Sequence, residues 1–213
     1  MSHHLDRPII YLITKGEATV DNFTVTSRRI LDIVRVAVDE KVSLVQLREK
    51  RLSVRLLFEL AAEAAKLTHG SSTRLMVNDR ADVAVAANAD GVHLAANSFP
   101  VEFVRASFTR DLIIGVSTHT FEAARSAAGH GADFVVFGPV FETPGKVGPH
   151  GLEKLSEICD ELRPFPVIGL GGIDETNYST VIDAGASGFA AIRSLNDADK
   201  VRTICRDLRK SCE

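Results

Sequence analysis

Gln46, Arg48 and Lys50 stand two residues apart where a short apolar run ends. In extended backbone that spacing puts an amide and two cations on one side, with Leu47 and Glu49 on the other. Two cations and an amide that converge suit a diphosphate or a similar anion. The same charges on a solvated loop would only pair with their neighbours. Asn78-Asp79-Arg80 closes a second run. Asp79 is a candidate ligand for Mg²⁺, which takes oxygen donors and bridges to substrate phosphates. Asn and Asp shortly before Asp82 also read as a helix cap. Gly115-Val116-Ser117-Thr118-His119 closes a third run. There Ser117 offers an anion a hydrogen bond, and His119 is either a structural histidine or a proton shuttle near neutral pH.

Three further segments have the same character. Residues 138–148 form a loop rich in Gly and Pro that carries the Thr143 hydroxyl and the Lys146 cation, suited to closing over a ligand. Gly169-Leu170-Gly171-Gly172-Ile173 and Ala191-Ile192-Arg193-Ser194 follow the last two apolar runs. Paired glycines can be tight turns, but Gly171 and Gly172 facing the backbone amides of Ile192 and Arg193 are also the usual phosphate cradle of a barrel.

These residues need elements to position them. Short apolar runs at 9–13, 42–47, 74–77, 91–94, 112–116, 134–137, 167–170 and 188–192 read as parallel strands buried on both faces. Helical spacing appears between them, in Ile30, Ile33, Val34, Ala37 and Val38, and again in Leu56, Leu57, Leu60, Ala61 and Ala64 after Ser53 as N-cap. Thr120 and Asp174 are expected to cap two later helices, and residues 197–208 supply the last. Eight strand–helix units predict a single (β/α)8 TIM barrel, residues 1–213 forming one domain, with the site at the C-terminal ends of the strands. A doubly wound open sheet shares the alternation, but no GxGxxG follows the first strand.

Composition narrows the partners. Hydrophobic residues make up 45% and charged residues 25% of 213, with a formal net charge of −3. That balance argues against a nucleic acid or an anionic membrane as partner. No apolar run approaches the roughly 20 residues that span a bilayer, and the first residues lack the apolar core of a secretory signal. Cys159, Cys205 and Cys212 are odd in number and form no CxxC pair. Reduced thiols and a cytoplasmic location are expected, and a homo-oligomer is compatible with the sequence.

Taken in order, Gln46-x-Arg48-x-Lys50, Asn78-Asp79-Arg80-x-Asp82, Asp90-Gly91-Val92-His93-Leu94, Gly115-x-Ser117-x-His119 and Gly131-Ala132-Asp133 leading into Phe137-Gly138-Pro139-Val140-Phe141 resemble the thiamine phosphate synthase and TenI family. The resemblance runs from Tyr11 to Ser194 and implies a (β/α)8 barrel. It also implies coupling of hydroxymethylpyrimidine diphosphate with a thiazole phosphate, giving thiamine phosphate and pyrophosphate. On that analogy Arg48, Lys50 and Asn78 hold the diphosphate, beside Gln46, and Asp79 helps hold Mg²⁺. Ser117 and Lys146 contact the leaving pyrophosphate, while Thr143, Gly172, Ile192 and Arg193 meet the thiazole phosphate, the last two chiefly through backbone amides. Arg48 and Lys146 are the catalytic cations.

Two departures from the synthase pattern stand out. Ser98 occupies the place of a second acidic metal ligand, which weakens the expectation for Mg²⁺. The family's Thr-x-Thr-Lys loop reads Thr143-Pro144-Gly145-Lys146 here. The Ser98 loop and the Phe141-Glu142-Thr143 variant both resemble the TenI-type thiazole tautomerases, which move protons without a metal and use a histidine at the His119 position. The complete diphosphate set favours the synthase. A non-catalytic barrel that binds thiamine-pathway phosphates is a further alternative. Sugar-phosphate epimerases need acid–base groups at other strand ends.

Overall fold

The computed structural model describes residues 8–108, 111–145 and 148–211. Eight parallel strands close into a barrel in sequence order: β1 (Ile9–Ile13), β2 (Leu44–Leu47), β3 (Arg74–Asn78), β4 (Gly91–Leu94), β5 (Ile113–Thr118), β6 (Phe134–Phe137), β7 (Val167–Leu170) and β8 (Gly188–Ala191). A helix follows each: α1 (Phe23–Asp39), α2 (Val54–Thr68), α3 (Ala81–Ala86), α4 (Val101–Ser107), α5 (Phe121–Gly129), α6 (Gly151–Leu162), α7 (Tyr178–Asp183) and α8 (Ala198–Ser211). The predicted (β/α)8 barrel is therefore the observed fold.

Period-two alternation divides the strands between two cores. Ile9, Tyr11, Ile13, Leu44, Met76, Ile113, Phe134, Val136, Ile168 and Ala190 point inward and fill the barrel. Ile10, Leu12, Val45, Leu47, Leu75 and Val77 point outward and meet the helices, including Ile30, Ile33, Val34 and Ala37 of α1. Each fully buried large side chain contributes about 1.5–3 kcal/mol.

Helix caps explain where the elements stop. Ser53 and Thr120 accept the backbone N–H groups of Leu56 and Ala123, as expected of N-caps. The reading fails at Asp174, because Asn177 is the N-cap of α7. The Asp174 carboxylate instead accepts the N–H and hydroxyl of Thr176 in the turn before the helix. Strand β2 starts two residues later than predicted. Lys41 lies in the left-handed region at φ 58°, and the Val42 N–H closes the end of α1 on the Ala37 carbonyl. Val42 thus belongs to the helix stop.

Candidate active site

Extending the inward-facing positions toward the C-terminal ends converts the core into a site. Leu44 is followed on its face by Gln46 and Arg48, Met76 by Asn78, Gly91 by His93, and Ile113 by Gly115 and Ser117. These polar groups floor and rim one side of a cavity of about 500 Å³ at the mouth of the barrel, and Val136, Leu170, Ala190 and Ile192 form the other side. The cavity is the size of a small-molecule site. It is polar along β2–β5 and apolar along β6–β8.

Arg48 and Lys50 line the polar half. Neither makes an ion pair among the described residues. Glu49, on the opposite side of the chain, is 3% exposed. Its carboxylate accepts the Thr14 hydroxyl at 2.6 Å and the N–H groups of Gly16 at 3.1 Å and Ala18 at 2.8 Å. Thr14 in turn accepts the Arg48 N–H at 2.8 Å. This clasp folds the β1–α1 connection against β2 and fixes the backbone that carries Arg48.

The buried amides have a defined polarity. Asp79 can only accept, so the Asn78 side chain donates its N–H to Asp79 Oδ2 at 2.7 Å. Asn78 Oδ1 therefore accepts from Gln46 Nε2 at 2.9 Å. Gln46, 1% exposed, is left with Oε1 as a buried acceptor that has no partner.

Asp79 is turned aside by a backbone in the left-handed region, φ 58°. It does not line the cavity with the groups above; Oδ1 accepts the Ala95 N–H at 2.8 Å and the Ser98 hydroxyl. It does not cap α3, whose N-cap is Arg80. No group of three His, Cys, Asp or Glu able to hold a metal occurs among the described residues. The donors here are one carboxylate and one hydroxyl. That set meets the lower bound for Mg²⁺, which is commonly held by one or two carboxylates together with substrate phosphates.

Ser117 and His119 also line the cavity. His119 Nδ1 lies 2.6 Å from the Gly138 carbonyl. A carbonyl only accepts, so Nδ1 carries a proton and Nε2 is left for the mouth. His93 is buried, its ring nitrogens 3.2 Å from the Tyr11 hydroxyl and 2.8 Å from the Ser117 hydroxyl. Burial pushes its pKa down to about 4; Asp79 opposes that shift and Arg48 adds to it.

Thr143, Gly171, Gly172, Ile192 and Arg193 close the far end of the cavity. Thr143 donates its hydroxyl to the Phe141 carbonyl. Gly171 and Gly172 have φ of 107° and 65°, and a Cβ at Gly172 would sit 2.6 Å from the Glu142 carbonyl oxygen. Both positions require glycine. Asn177 donates to the Gly172 carbonyl, Ser194 to that of Ile173, and Asn196 to that of Ile192. The N–H groups of Gly172 and Arg193 make no backbone hydrogen bond among the described residues. Lys146 lies outside the described residues.

Fold and mouth together define a parallel (β/α)8 barrel with a cationic, two-sided small-molecule cavity at the strands' C-terminal ends. Residues 10–195 match the family described as thiamine monophosphate synthase. A putative thiamine-phosphate synthase of Geobacter sulfurreducens is 41% identical over 189 residues, spanning 87% of this chain and 85% of that protein. The thiamine-phosphate synthase of Clostridium acetobutylicum is 35% identical over 199 residues, 92% of this chain and 91% of its own. Among solved structures, a thiamine phosphate pyrophosphorylase from Pyrococcus furiosus superposes with a TM-score of 0.79 at 33% identity, covering 95% of this chain and 94% of that one. The chain belongs to the thiamine monophosphate synthase family.

Proposed function

We propose that the chain is a transferase that couples hydroxymethylpyrimidine diphosphate with a thiazole phosphate, yielding thiamine phosphate and pyrophosphate. The observation that carries this reading is the division of one cavity into a cationic half, with Arg48 and Lys50 in no ion pair among the described residues, and an apolar half that ends in the Gly171-Gly172 turn. Two substrates, each with a ring and phosphate oxygens, match that division.

The bond from the pyrimidine methylene carbon to the diphosphate oxygen breaks, and the diphosphate leaves with the electron pair. The thiazole nitrogen then forms the new bond to that carbon, so no protein nucleophile is needed. The chain's task is to stabilise departing negative charge. Arg48 and Lys50 hold the diphosphate, Asn78 lies beneath it, and Ser117 donates to it; Lys146 is assigned there by family resemblance. Gln46 holds the Asn78 side chain in place beneath it through its Nε2. The N–H groups of Gly172 and Arg193 hold the thiazole phosphate, and Thr143 and Ile192 are assigned there by family resemblance. Asp79 and Ser98, with the diphosphate's own oxygens, would hold Mg²⁺, which when bound neutralises charge on the leaving group. The described cysteines are free thiols, which supports a cytoplasmic location. No helix among the described residues is long and apolar enough to cross a membrane.

One observation favours a second reading, a thiazole tautomerase. His119 Nε2 is free to take a proton at the cavity, because Nδ1–H is committed to Gly138. Two variants separate the readings, assayed for pyrophosphate release and for tautomerisation of a thiazole carboxylate phosphate. If coupling is the activity, Asp79→Asn loses more pyrophosphate release than His119→Ala. Tautomerisation without release, abolished by His119→Ala and spared by Asp79→Asn, would move the assignment to the tautomerase.

A further inference from the structure

Tyr11, His93 and Ser117 come from β1, β4 and β5 and form one hydrogen-bonded line across the inside of the barrel. Tyr11 is 0% exposed and its ring packs edge-on against Phe134. His93 Nδ1 is the hydrogen-bond partner of its hydroxyl, at 3.2 Å. Gly115 makes room for this arrangement: a Cβ there would lie 2.3 Å from the Phe134 ring and 2.9 Å from His93 Nδ1.

Counting protons orders the line. Burial keeps the Tyr11 phenol protonated, raising its pKa well above the ordinary value. A buried O–H must donate. If His93 Nδ1 carried a proton, two donors would meet and the buried phenol proton would go unsatisfied. Nδ1 therefore accepts, and the ring's one proton is on Nε2. Nε2–H then donates to Ser117 Oγ at 2.8 Å. The Ser117 proton cannot point back at Nε2–H, and no other hydrogen bond engages this hydroxyl among the described residues. It is directed into the cavity that Ser117 lines.

We infer that Tyr11 and His93 are positioning residues that lock the Ser117 hydroxyl as a hydrogen-bond donor to the anionic group bound beside Arg48 and Lys50. An isolated serine hydroxyl rotates and presents either a proton or a lone pair. Here two buried groups fix the choice before the ligand arrives, so no reorganisation is needed as charge develops. The identity of the anion, the leaving diphosphate, rests on the synthase reading. The direction of the proton rests only on the line itself.

The test combines ¹⁵N NMR of histidine-labelled protein with steady-state pyrophosphate release in Mg²⁺. The His93 signals, assigned by their loss in His93→Gln, should show protonated Nε2 and unprotonated Nδ1 in the wild type. Tyr11→Phe removes one oxygen, and should release that tautomer and lower kcat about tenfold, with a smaller change in KM for the thiazole phosphate. His93→Leu should lose about 10²-fold in kcat, on the order of removing one oxyanion donor. His93→Gln, whose amide N–H can still reach Ser117, should recover most of that loss. A protonated Nδ1 in the wild type would overturn the proposal. So would wild-type kcat in both Tyr11→Phe and His93→Leu. A wild type that folds and binds pyrophosphate but never releases it from substrate overturns the synthase reading instead, and the tautomer measurement still decides the order of the line.

Discussion

Replacing Ser98 by Asp restores a second carboxylate beside Asp79, and the structure sets the size of the effect. In the wild type Asp79 Oδ1 accepts the Ala95 N–H and the Ser98 hydroxyl. Ser98→Asp removes the hydroxyl donor, a hydrogen bond to a charged acceptor that contributes about 1.5–3 kcal/mol. It also brings two carboxylates within about 4 Å, which costs between about 1 kcal/mol in water and about 4 kcal/mol near a protein surface. Partial separation of the side chains leaves a net loss of about 2–4 kcal/mol without metal. For a chain of this length that lowers Tm by about 5–15 °C. Mg²⁺ should reverse the effect, because an ion at 100 times its Kd returns about 2.7 kcal/mol. The assay is thermal unfolding with and without Mg²⁺, alongside calorimetric titration of Mg²⁺ in the presence of pyrophosphate. A variant with wild-type Tm and wild-type Mg²⁺ affinity would show that positions 79 and 98 do not share a metal site.

Gly172→Ala should destabilise the fold by about 1–3 kcal/mol, through a left-handed φ and a Cβ driven into the Glu142 carbonyl. It should also raise KM for the thiazole phosphate; denaturant unfolding and kinetics measure both, and a neutral result would refute the cradle. Glu49→Gln puts an amide N–H₂ where a carboxylate oxygen accepts a backbone N–H, costing about 2–4 kcal/mol. A loss below about 0.5 kcal/mol would show that the clasp on the β1–α1 connection is dispensable. Burial raises the thiols of Cys159 and Cys205 to about 11. Alkylation of the folded protein at pH 8 should spare both until denaturant is added, as read by peptide mass spectrometry.

The barrel was legible because the strands are brief apolar runs and the longer helices, such as α1 and α2, are periodic, a rhythm that depends on local pattern alone. Period two also placed Gln46, Arg48 and Lys50 together, and all three line the cavity. Most of what escaped was decided by partners distant in sequence. His93 sits inside an apolar strand and reads there as core; its role depends on Tyr11, 82 residues away. Continuing the inward positions from Gly91 to His93 and from Gly115 to Ser117 would have exposed the pair. Glycine inside a strand signals close approach, and at Gly115 the approaching groups are His93 and Phe134. The hydrogen bond from Gln46 Nε2 to Asn78 Oδ1 joins neighbouring strands 32 residues apart, which no local pattern shows. Asp174 lost its expected cap to Asn177 because its carboxylate is taken by Thr176 within the turn.

Pyrophosphate release from the purified protein, supplied with hydroxymethylpyrimidine diphosphate, thiazole phosphate and Mg²⁺, tests the central claim directly. Release above the enzyme-free rate, dependent on both substrates and accompanied by thiamine phosphate, is the predicted result and would show that Ser98 supports coupling. A folded protein that binds both substrates and releases no pyrophosphate would contradict the assignment and leave the proton chemistry of His119 as the activity to measure.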